Sequence, residues 1–307
     1  MADKNKTLFG FDTNPTSIIP KKYTLDSKIH FRCHPGVSCF TACCGHIDII
    51  LTPFDILRLR KHVNLSADEF LLRFTTPTYV EKTDLPGVKI HLDKDGRCPF
   101  VTDEGCTIYS ERPSACRYYP IGMANFHEGG QEGIQSEKFF FIVKEDHCKG
   151  HEEETEWTIK EWRADQGVDL CDQMNKEWLE IVMRRRSFGQ QASMSEQAQK
   201  MFFMASTDTD KFRNFVFNSS FLDTYDVDQE TLDKIKEDDI EMMLFSFRYL
   251  ASALFGTQDL QIKEEKIKER VSQIDDKKAS AEVKAEETYK ELLDQRDMLA
   301  ESLKNNK

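Results

Sequence analysis

CFTACCGH, residues Cys39–His46, places three cysteines in eight positions, two of them adjacent. Its reading decides what kind of fold the N-terminal half has. Either oxidised pairs staple a loop-rich scaffold, or free thiols gather around a metal inside an ordinary globular domain. The chain has 307 residues, enough to bury a core without cross-links. The opening MADKNKTLFGFDTNPTSIIPKKY joins no basic segment to an apolar one, as a signal or transit peptide does. The expected compartment is therefore the cytoplasm, where thiol buffers keep cysteines reduced, and the metal reading leads.

The other cysteines follow the same logic. Cys33, Cys39, Cys43, Cys44, Cys98, Cys106, Cys116 and Cys148 lie among Gly, Pro and His turns in the first half of the chain. Cys171 follows on a helical face and reads as a small buried apolar residue. Thiolate is the soft ligand that selects zinc, copper(I) or iron–sulfur clusters. Four complete a tetrahedral zinc site or one cubane cluster, so eight make two sets. Cys39 and Cys43 are four apart and share a face if the turn is helical, whereas Cys44 would point elsewhere. Adjacent thiols would then serve two centres, or one centre plus a reactive thiol. His46 is the reserve ligand, and His34, His147 and His151 also stand close to cysteines.

Around these residues the local signals are mixed, which predicts an α+β fold. Ile47–Leu51 suits a short strand. Thr52, Pro53 and Asp55 open a helix to about His62, and Ser66 with Glu69 forms a second capping box. The stretch GVKIHLDKDGRCPFVTDEGCTIYS reads as a β-meander bringing Cys98 and Cys106 onto neighbouring strands. A short helix or turn from Ser110 and Pro113 carries Cys116, and FFFIVKEDHC is a strand delivering Cys148. From Trp157 the apolar spacing turns helical, and DIEMMLFSFRYLASALF is the strongest case. The Phe-rich stretch MFFMASTDTDKFRNFVF is expected to form the core joining the two halves. The expected organisation is an irregular leader over 1–30, a cysteine-cluster metal-binding domain over 31–156, a helical region over 157–256 packed on it, and a charged helix over 257–307. The last segment carries a broken heptad through Ile267, Val271, Ile274, Ala281, Ala285, Thr288 and Leu292. It is either a solvated helix, or a short coiled coil that docks a protein partner.

Composition narrows the function classes. A net charge of −12 opposes broad binding to nucleic-acid backbones. No apolar run approaches the roughly 20 residues of a membrane span. No G-x-G-x-x-G or Walker A fingerprint is present.

The order Cys33, Cys39, Cys43–Cys44, then LTPFDILRL, CPF, GCTIYSERPSACRYYPIG and a late HCKG resembles the YkgJ-type cysteine-cluster proteins, a family of zinc- or iron-chelating domains sometimes labelled iron–sulfur oxidoreductases. The resemblance covers Phe31 to Gly150. The first motif departs from the family's commoner C-x2-C-x2-CC spacing. The resemblance implies metal ligands at Cys33, Cys39, Cys43, Cys44, Cys98, Cys106, Cys116 and Cys148, holding an iron–sulfur cluster of the 4Fe-4S kind or zinc. One similar branch, the flagellin lysine methylases, is linked to S-adenosylmethionine. Beside Cys116, Arg112 and Arg117 are the expected cofactor-binding residues, as donors to cluster sulfurs or to a substrate carboxylate, unless they pair with surface acids. Tyr109, Tyr118 and Tyr119 would shield the site from water. Three functions follow: a redox or radical enzyme, a protein that stores or senses zinc or iron, or a closed structural zinc module.

Overall fold

The computed structural model describes residues 16–80, 83–127, 136–188 and 193–305. It has the α+β architecture, with small antiparallel sheets in the N-terminal half and helices after it. Two compact units divide it: one within Met1–Phe215 and Gln229–Asp259, the other formed by Val216–Asp228 and Leu260–Lys307.

The first unit begins with a departure from expectation. From Thr16 the leader is a strand rather than irregular chain: Thr16–Tyr23 pairs with Ser136–Glu145, which pairs on its other edge with Ile121–His127. The register sets Ile121 opposite Ile142 and Ile18 opposite Val143. Residues 1–15 of the expected leader lie outside the described residues. Lys28–His30 pairs with Glu156–Thr158.

The helix starts follow their capping chemistry. Pro53–His62 and Ala67–Phe74 each open on a reciprocal capping box, Thr52 with Asp55 and Ser66 with Glu69. The meander does not form as expected. Leu85–Ile90 pairs backwards with Thr75–Val80, and Ile49–Leu51 runs extended along its other side through Leu51 N–H to Val88 C=O and Ile90 N–H to Ile49 C=O. Only Val101–Thr102 and Gly105–Cys106 make the second hairpin. Cys98 is drawn out of it, because its N–H bonds the Cys44 carbonyl at 2.8 Å.

Among the described residues, two apolar clusters flank the cysteines. One is built from Leu51, Ile56, Leu59, Phe70, Val88, Ile90, Phe100 and Ile108, with Cys98 and Cys106 at its edge. The other gathers Ile29, Phe31, Ile121, Phe140, Ile142, Ile159 and Trp162, with Cys148 and Tyr119 at its edge.

The run from Trp157 breaks into three helices, Ile159–Gln166, Val168–Met174 and Lys176–Ser187. Gly167 at φ 65 supplies the first break. The Phe-rich stretch becomes Glu196–Thr207 and Thr209–Asn218. Its Phe202 and Phe212 are fully buried, against Trp178 at 5.3 Å and Tyr249 at 5.4 Å between ring centres. Tyr249 belongs to Asp239–Phe255, whose start ties back to the first helix: buried Arg60 donates to Asp239 and Thr209 at 3.0 Å each. In the second unit Tyr225–Asp226 pairs with Gln261–Ile262, and Phe221 stacks near Tyr225. The helix Glu264–Asn305 follows, with Ile267, Val271, Ile274 and Leu292 exposed. No helix among the described residues is long and apolar enough to cross a membrane.

Candidate metal centre

All eight cysteines of the expected ligand set line one cavity of ≈ 550 Å³, walled by members of both apolar clusters, among them Phe31, Ile90, Ile108 and Trp162. Five separate pieces of chain deliver them. Cys33, Cys39, Cys43 and Cys44 sit on an irregular loop whose only helical part is the 3-10 turn Ala42–Cys44, because Thr41 at φ 65 interrupts any longer helix. Cys98 hangs from that loop. It is positioned by its bond to Cys44 and by His46 N–H to Gly96 C=O at 2.7 Å. Gly96 is required here: it holds φ +76, and a Cβ would lie 2.4 Å from the His46 ring. Cys106 comes from the short hairpin. Cys116 rides on Ser114–Tyr118, whose first residue is held by buried Asp55. Cys148 follows the turn closed by its own N–H to Glu145 C=O at 2.9 Å.

The thiols act on one another in two groups. Cys33, Cys39 and Cys148 lie within electrostatic reach of each other, as do Cys98, Cys106 and Cys116, and Cys43 acts on members of both. The expectation that Cys44 points away from Cys43 is overturned: Cys44 lies close enough to raise the Cys43 thiol, and both line the same chamber. The wide chamber takes both.

Burial governs the chemistry of these groups. It pushes the Cys33 thiol up to about 11, and it is the leading cause of upward shifts at Cys98, Cys106, Cys116 and Cys148. At Cys43 the hydrogen bond with Cys44 leads and burial follows. Backbone donors work in the opposite direction. Phe100 N–H serves Cys98, Ile108 N–H serves Cys106 and Gly150 N–H serves Cys148, each lowering its thiol's pKa. Lys149 N–H reaches Cys39 Sγ at 3.1 Å. Hydrogen bonds to sulfur favour the thiolate, and a bound cation deprotonates a coordinating thiol outright. This donor set is soft, desolvated and supplied with N–H groups, which fits zinc or iron. As the side chains stand, the described residues include no group of three or more His, Cys, Asp or Glu poised on a single ion position. The eight sulfurs share a chamber rather than a point.

The other expected residues divide. Arg112 lines the chamber, stacks on Tyr109 at 3.8 Å and donates to the Tyr109 carbonyl and to Gln166. Arg117 is not among the lining residues. Its guanidinium is committed to the backbone carbonyls of Arg112 at 2.9 Å, Gln166 at 2.8 Å and Ser110, so it braces the loop beneath the site. Tyr119 lines the chamber, with its hydroxyl against the Cys148 thiol. Tyr118 turns to Asp172, donating at 2.7 Å. Among the histidines, His46 and His147 line the chamber, whereas His34 bonds Glu153 and His151 packs on Phe31. Cys171 is buried outside it, with Arg58 at 3.7 Å. Glu145, a lining carboxylate, was missed by sequence reasoning. The one signal for it was an acid three residues before Cys148.

Residues 32–149 match the model of the CxxCxxCC family, whose description reads "Putative zinc- or iron-chelating domain". The match spans all eight chamber cysteines, agrees with the resemblance carried by GCTIYSERPSACR, and supports metal binding in general terms. No curated protein and no solved structure matches the chain.

Proposed function

We propose that this cysteine-cluster domain holds iron, as an iron–sulfur cluster, or zinc, in the eight-thiol chamber, and that an iron-loaded centre serves a redox role. The observation that carries the reading is the meeting of eight thiols from five chain segments on one cavity walled by apolar side chains. Gathering so many sulfurs, most of them half-buried, beside N–H donors is what a thiolate-bound cation requires. Cys43 acts on both the Cys33/Cys39/Cys148 group and the Cys98/Cys106/Cys116 group and so joins two half-sites, with Cys44 beside it. The cavity of ≈ 550 Å³ exceeds what a single tetrahedral ion occupies. That favours a centre with room for a second group over a closed structural zinc.

The test is to purify the protein without oxygen, record its visible absorption, and quantify iron, zinc and acid-labile sulfide per chain, with Cys43→Ser and Cys116→Ser alongside. The expected result is stoichiometric metal that falls in both variants. Iron with sulfide identifies a cluster, and zinc alone identifies a chelating centre. A metal-free protein whose variants fold as well as the parent overturns the proposal.

A further inference from the structure

We infer that Glu145 and His147 supply an oxygen and a nitrogen donor to the metal at the Cys43–Cys148 side of the chamber, giving the centre a mixed thiolate, carboxylate and imidazole set. This rests on the metal-centre reading above and adds two ligands to it.

The argument begins with the chain path. Glu145 ends the central strand of the three-stranded sheet, and the turn that follows brings Glu145, His147 and Cys148 to one wall. Glu145 Oε2 and His147 Nε2 are both buried and neither makes a hydrogen bond. They face each other at 3.5 Å. The contact is an ion pair only when the imidazole is protonated, and neither atom finds a hydrogen bond in a chamber lined by thiols and apolar side chains. The carboxylate also lies near enough to Cys43 to raise its thiol, behind the Cys44 hydrogen bond and burial. Negative charge beside desolvated sulfur is unfavourable until a cation arrives. A metal ion would satisfy all three groups once their side chains close on it, because it accepts the carboxylate oxygen, the imidazole nitrogen and the thiolate as ligands.

The probe is zinc itself, one equivalent added to the reduced full-length protein, read by X-ray absorption at the zinc edge. A mixed first shell is expected, with nitrogen or oxygen at about 2.0–2.1 Å beside sulfur at about 2.3 Å. The double variant Glu145→Ala/His147→Ala should lose the lighter scatterers and bind zinc at least about tenfold more weakly. An all-sulfur shell in the unaltered protein overturns the inference while leaving the thiolate centre intact. Failure to retain any zinc or iron overturns that underlying reading as well. The spectrum of the unaltered protein decides between these outcomes even if the variant does not fold.

Discussion

Replacing Asp55 tests how the site is held. This carboxylate is 1% exposed and sits at the start of the first helix, far in sequence from any cysteine it serves. Its Oδ2 accepts from Thr52 N–H at 3.1 Å, and its Oδ1 accepts from Ser114 N–H at 2.9 Å and Ser114 Oγ at 2.8 Å. One side chain thus caps its own helix and tethers the helix that carries Cys116. A hydrogen bond to a charged group contributes about 1.5–3 kcal/mol, and the cap adds about 1 kcal/mol. Desolvation of the buried carboxylate takes part of this back, so Asp55→Ala should cost about 3–5 kcal/mol in urea unfolding of the reduced, metal-free protein. Ser114→Ala removes one bond and should cost about 1 kcal/mol. The double variant should show coupling of at least about 1 kcal/mol, since both changes remove the same contact. Zinc affinity of Asp55→Ala should fall about 10–100-fold as Cys116 loses its support. Burial raises the Asp55 pKa, with the Ser114 and Thr52 donors only partly opposing it. Its titration therefore favours the folded state below the unfolded value of about 3.9, and this is lost as pH rises through the raised folded value. The stability gap between wild type and Asp55→Asn should accordingly narrow from about pH 4 upward. A cost below about 1 kcal/mol for Asp55→Ala, or strict additivity with Ser114→Ala, would refute the tether.

Further outcomes follow from the same geometry. Zinc binding near neutral pH should release about one proton per coordinating thiol, because burial keeps the thiols protonated; calorimetry in two buffers of different ionisation enthalpy counts them, and release near zero contradicts this. For Cys33, raised from 9.0 to about 11 although the residue as a whole is exposed, the sign is clear: partial desolvation of the neutral thiol favours the metal-free fold below about pH 9 and ceases to as pH passes about 11, which an alkaline melting series can follow. Gly96→Ala should destabilise by more than about 1 kcal/mol and lower metal affinity, since the new methyl meets the His46 ring where Cys98 is positioned; unchanged melting and zinc titration would count against it. Arg117→Ala should cost about 2–4 kcal/mol by freeing buried carbonyls, yet leave the spectrum of the loaded centre unchanged. A shifted spectrum would mean that Arg117 touches the metal group after all.

Much of this was legible before any fold was known. The capping boxes at Thr52/Asp55 and Ser66/Glu69 formed as read, because a cap is a bargain struck within one turn of chain. The gathering of thiols was legible from residue type: desolvated sulfur in such numbers has few uses apart from soft metals. The meander was misjudged because its strand had two possible partners. Thr75–Val80 lies on its other side with six paired residues, while the cysteine loop captures the chain at Cys98. Arg117 was misjudged because charge beside a cysteine suggests a sulfur contact, and only the packed loop reveals three carbonyls that need a donor.

The sequence by itself determined the soft-thiol character of the chamber, the eight cysteines that line it and the helix starts around it, since each depends on residue type or on neighbours within one turn. Tertiary structure alone decided that Cys43 and Cys44 share one chamber, that Asp55 holds the Cys116 helix across 59 positions, that Lys149 N–H meets Cys39 across 110, and that Glu145 faces the sulfurs. Such meetings are fixed by how two apolar cores close against each other, and that closure is a property of the packed chain rather than of any short stretch within it.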